Sequence, residues 1–123
     1  MLPGFADLAL IRQDRPVDWN ELLWHTERRL GMYVGRLRYD RAYSMVTGFD
    51  LARGQGDLAR FQVWMAERHG DTALAWPSLV LKEVFGNRAG EESLRTDEDH
   101  QIAIEHLCER LREFLNLPEN DPR

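Results

Sequence analysis

The chain is poor in several residue types that usually betray chemistry. It has a single cysteine, Cys108, so no disulfide can form within it. That economy suits a reducing compartment, and a cytoplasmic location is expected. No run approaches the ~20 apolar residues needed to cross a bilayer. Met1 to Asp7 contain no basic region, and Asp7 interrupts their apolar run, so no secretory leader is expected. Lys82 is the one lysine among 16 basic residues, a bias that fits G+C-rich coding rather than function. Alternating strand patterns are nearly missing. Gly54-Gln55-Gly56 precedes Asp57 but has no Lys/Thr partner and no βαβ setting, so it is no phosphate loop. His25, His69, His100 and His106 form neither a Cys/His cluster nor an H-E-x-x-H motif. His100 and His106, six apart, lie about 240° apart on a helix. The histidines therefore read as surface residues, and neither a metal nor a cofactor is expected.

What remains is ordinary in amount and uneven in placement. The chain has 123 residues, 43% hydrophobic and 30% charged. That is one domain, large enough to bury a core without a metal or disulfide staple. The net charge is −5. Residues 1–62 hold 9 Arg against 8 acids, whereas residues 63–123 hold 7 Lys/Arg against 13 acids. An acidic second half disfavours nucleic acid, which binds basic faces, and favours a basic protein partner. A merely solubilising surface explains the same charge.

The helical patterns are clear. Residues 1–17 are ambiguous, with Leu8, Leu10 and Ile11 ending at Pro16. Asp18 reads as an N-cap with Glu21 at the third position. Trp19, Leu22, Leu23, Thr26 and Leu30 follow at helical spacing. Gly31-Met32-Tyr33-Val34-Gly35 then reads as a helix stop and a tight buried connection. A second helix starts near Asp40, with Gly48 marking a close helix crossing. Asp57 is expected to cap a third, which Gly70 closes, and Pro77 at the first helical position opens a fourth. Residues 87–95 read as a polar loop. Thr96 and Asp99 form a capping box for the last helix, whose apolar stripe is Ile104, Leu107, Leu111, Phe114 and Leu115. Residues 116–123 form a tail. The expectation is an all-α, single-domain, compact bundle of about five helices.

Candidate sites each have a bland counterpart. Asp97-Glu98-Asp99-His100 resembles a catalytic cluster, but acids in a first helical turn are favoured by the helix dipole alone. Cys108, between Leu107 and Leu111, reads as inert packing. Arg28, Arg29, Arg36, Arg38 and Arg41 could grip a phosphate or an acidic partner; ion pairing with Glu27 and Asp40 is the simpler account. Glu98, Glu105, Glu109 and Glu113 fall along one side of the last helix, where like charges at i,i+4 cost roughly 0.2–0.5 kcal/mol each. Arg112 and Arg110 are placed to relieve Glu109 and Glu113. Trp24 lies off the Leu23/Leu30 stripe, so it is an exposed anchor for an interface or fills a second packed face.

Arg29 to Gly35, Gly48 to Ala52, Phe61 to Met65, Ala75-Trp76-Pro77 and the helix from Ala103 to Leu115 together resemble small acidic bacterial proteins, some of them immunity proteins of polymorphic toxin systems. The resemblance spans residues 29–115 and implies a non-enzymatic protein that binds and neutralises a toxin domain in the cytoplasm. The charge points to a basic toxin, with Trp24, Glu98, Glu105, Glu109 and Glu113 as partner-binding residues and no catalytic residue. The rivals are a homodimeric structural or regulatory module, and a small enzyme that joins the Arg28–Arg41 cluster to a histidine.

Overall fold

The computed structural model describes residues 17–31, 35–86 and 91–117. Within them lie α1 (Trp19–Arg28), α2 (Tyr39–Arg53), α3 (Asp57–Arg68), α4 (Trp76–Phe85) and α5 (Asp97–Leu115), with a 3₁₀ turn at Glu91–Ser93 before α5. No strand occurs among the described residues. The fold is the all-α bundle the patterning predicts. Residues 1–16 of the ambiguous segment 1–17, and residues 118–123 of the tail 116–123, lie outside the described residues.

Helix α5 is the centre of the bundle, packing on α1, α2, α3 and α4. Its length follows from its start. Thr96 accepts from the Asp99 amide at 3.1 Å, and the Asp99 carboxylate accepts in return from the Thr96 amide at 3.1 Å. The predicted capping box is therefore complete. Ile104, Leu107, Cys108 and Leu111 are buried along the inner face of α5. They meet Leu23 from α1, Val46 from α2, Phe61 and Met65 from α3, and Leu79 and Val80 from α4 in one core. Phe61 stacks against Trp64 and tilts against Phe114, with ring centroids 5.9 and 5.6 Å apart. This fastens α3 to the end of α5.

Several boundaries differ from expectation for local reasons. Helix α1 ends at Arg28 rather than Gly31, because Arg29 leaves helical geometry while its amide bonds to the His25 carbonyl at 2.7 Å. Gly31 and Gly35 are exposed, so the connection is not buried at either glycine. Gly35 does take the positive φ (84°) that glycine tolerates. Met32, Tyr33 and Val34 lie outside the described residues. Gly48 faces open space, with nothing near where a Cβ would sit, so it marks no helix crossing. Gly56, not Asp57, is the N-cap of α3. The capping role passes to Asp50 of α2, whose carboxylate accepts from the Leu58 amide at 3.2 Å. Asp57 accepts instead from the Trp19 indole at 2.7 Å, tying α1 to α3. Ala75 caps α4, which puts Pro77 at its second position rather than its first. Part of the expected 87–95 loop is ordered as the 3₁₀ turn.

Candidate functional site

The outer face of α5 carries the acidic stripe. Glu98, Glu105, Glu109 and Glu113 are all exposed, as a solvent-facing i,i+4 series requires. Ile102 lies four residues after Glu98 and three before Glu105, so it belongs to the same stripe, and 42% of it is exposed. An open groove of about 490 Å³ runs beside this ridge. Glu27 of α1, Glu105, Glu109 and Glu113 line it, together with Arg110, Arg112 and Leu117.

Of the two arginines in the groove, Arg110 relieves the ridge as its spacing suggests and Arg112 does not. Arg112 does not reach Glu109; it is buried and pairs with Glu27 of α1. Arg110 does bond Glu113 at 2.6 Å and lies 3.7 Å from Glu109. Its Nε, however, is turned inward onto Glu83 of α4 at 2.9 Å. Among the described residues, Glu105 accepts only from a neutral donor, Gln101, at 2.7 Å. Arg68 of α3 also lies 3.9 Å from Glu113, so Glu109 and Glu113 are met by cations, whereas among the described residues Glu98 and Glu105 pair with none.

Glu83 is the hub that holds Arg110 there. One of its oxygens also accepts from His106 at 2.7 Å, and the other from His69 at 2.7 Å. Burial pushes the Glu83 carboxyl up, but the donors from His106, Arg110 and His69 together outweigh it and hold it at about 2. For Arg110, burial alone would ease loss of its proton, but the bonds and charges of Glu83 and Glu113 win and raise its pKa. This cluster joins the end of α3, the last turn of α4 and one face of α5. Its carboxylate is already engaged by three donors of the chain itself, and among the described residues no group of three His, Cys, Asp or Glu is arranged to hold a metal.

The remaining sequence candidates fall elsewhere. Trp24 is only 8% exposed and is no surface anchor; the Arg29 guanidinium sits 5.0 Å from its ring centroid. None of the four histidines is fully exposed, against the expectation of surface residues. His69 and His106 serve Glu83, while His100 is buried and accepts from the Tyr39 amide at 2.9 Å. Asp99 is held below the usual carboxylate range by the Arg95 amide, and further by Thr96, as a cap should be. Cys108 is fully buried. In the arginine cluster, Arg38 pairs with Asp40 at 3.0 Å as expected, but Glu27 turns to Arg112 instead. A second groove, of about 360 Å³, is lined by Phe85, Glu92, Ser93, Arg95 and Asp99. Neither groove joins Arg36 or Arg38 to His25 or His69.

Sequence reasoning missed Ile102 and Glu83. Ile102 had a signal, since its spacing places it among the glutamates. Glu83 had none, because its partners come from 14, 23 and 27 residues away.

No protein-family model matches the chain, and no curated protein or solved structure is significantly similar to it. No described helix is long and apolar enough to cross a membrane.

Proposed function

We propose that this chain is a non-enzymatic protein-binding module of the immunity kind, which docks a basic toxin domain on the outer face of α5. The observation that supports this is the ridge of Glu98, Glu105, Glu109 and Glu113: among the described residues cations meet only Glu109 and Glu113, through Arg110 and Arg68, while Arg112 turns inward to Glu27. Such a surface steers a basic partner and fixes its orientation. Ile102 supplies the apolar contact that a purely charged ridge lacks, and partly exposed apolar side chains ringed by charge suit a buried anchor with a polar rim. The reading needs no reaction. It places the protein in the cytoplasm, where a toxin domain of this kind would act.

The test is association of the protein with the toxin domain encoded beside its gene, followed by stopped flow at low salt. Glu105→Lys with Glu109→Lys should slow association by about tenfold or more, with the difference shrinking as salt screens it. Tight binding at an unchanged rate removes the ridge from the proposal; no binding of that domain removes the immunity reading.

A further inference from the structure

A second exposed surface lies on α3. Val63 is 57% exposed in the middle of that helix. Ala59, four residues earlier, is exposed on the same side, and Ala66, three residues later, is half-buried beside it. Leu74 is 43% exposed in the loop that follows. That loop is lashed to α3 by Gln62, which donates to the Leu74 carbonyl at 3.0 Å and accepts from the Trp76 amide at 2.6 Å. The apolar strip is therefore held in place by the fold.

Its flanking charges are self-complementary. Arg60 lies three residues before Val63 and Glu67 four residues after, both on the exposed side of the helix. When two copies of α3 pack antiparallel about a two-fold axis near residues 63 and 64, Arg60 of each copy falls opposite Glu67 of the other. Val63 then meets its own counterpart at the centre, with small Ala59 and Ala66 side chains letting the helices approach. The local partners of Arg60 are Asp57 and the Gln55 carbonyl, 3.0 Å from one guanidinium nitrogen; both are exposed contacts that a dimer would exchange for Glu67, and 60% of the Arg60 side chain remains exposed. One patch pairing with itself through reciprocal contacts is what a two-fold interface demands.

From this complementarity we infer that the protein forms a symmetric homodimer through α3. The strip is short, so the dimer belongs to the weak class of small interfaces. The acidic ridge of α5 is not part of it, so the dimer does not depend on the function proposed above.

Sedimentation equilibrium of the purified chain, from low to high micromolar concentration, tests this. The expected result is a reversible shift from the monomer mass to twice that mass. Val63→Glu should weaken the dimer by about tenfold or more, because it sets two carboxylates facing each other at the axis. Glu67→Arg alone should weaken it similarly, by opposing Arg60, and Arg60→Glu with Glu67→Arg should restore it. These positions are exposed, so far-UV circular dichroism should show all variants folded. A monomer at every concentration overturns the inference. So does a dimer that the single Glu67→Arg change leaves intact, or that the double exchange fails to restore.

Discussion

The Nε2 atom of His106 lies 2.7 Å from one oxygen of Glu83, twenty-three residues earlier in the chain. With His69 on the other oxygen and Arg110 sharing the first, this contact makes one carboxylate the junction of three helices. A part-buried charge is tolerated only when donors satisfy it, so Glu83 is where charge and stability are most tightly linked.

The pH dependence follows in sign. The Glu83 pKa is about 2 in the folded protein, below its ordinary 4.5. The stabilisation from its ionised form is therefore fully present above about pH 4.5 and is lost as the pH falls towards 2. Glu83→Gln should cost about 2 kcal/mol at neutral pH, because it removes the charge that His69, His106 and the Arg110 Nε share and leaves Arg110 only its exposed partner Glu113. Urea unfolding of both proteins across that pH range should show the gap narrowing as the pH falls. A constant gap would show that the charge of Glu83 contributes nothing.

Trp24 and Ile102 should behave oppositely. Trp24→Ala removes a buried aromatic and should lower stability by about 3 kcal/mol. Ile102→Ala should leave stability within about 0.5 kcal/mol, as exposed substitutions do, and weaken capture of the toxin domain. Thermal melts of the two variants decide the first half of this contrast, and a binding titration the second.

The capping box should be worth about 1 kcal/mol. Thr96→Ala removes the side-chain oxygen that holds the Asp99 amide. Thr96→Ser should keep most of that stabilisation. Equal melting points for the Ala and Ser variants would mean that the start of α5 is held by something else.

Burial pushes the Cys108 thiol well above its ordinary pKa, and the nearby Glu27 charge adds to the effect. A thiol held neutral inside the core is a poor nucleophile. Ellman's reagent should leave the native protein unlabelled and react at once in guanidinium chloride. Rapid labelling of the native protein would show that the α1–α5 contact opens readily.

The sequence by itself determined the helices and much of the core. Capping is written within four residues, so Thr96 and Asp99 announced the start of α5. Helical periodicity has a range of a turn or two, so Ile104, Leu107 and Leu111 announced its inner face. The acidic ridge was legible for the same reason. Tertiary structure decided everything that depends on which helices become neighbours. Arg112 had glutamates of its own helix within reach, but it pairs with Glu27, 85 residues away, because α1 packs against α5 there. Trp24 lies off the main apolar stripe of α1 and is buried all the same. His69, Glu83 and His106 carry no shared spacing and meet only because α3, α4 and α5 converge. Local patterns fix local backbone geometry, whereas the partner of a long polar side chain is set by packing between segments far apart in the chain.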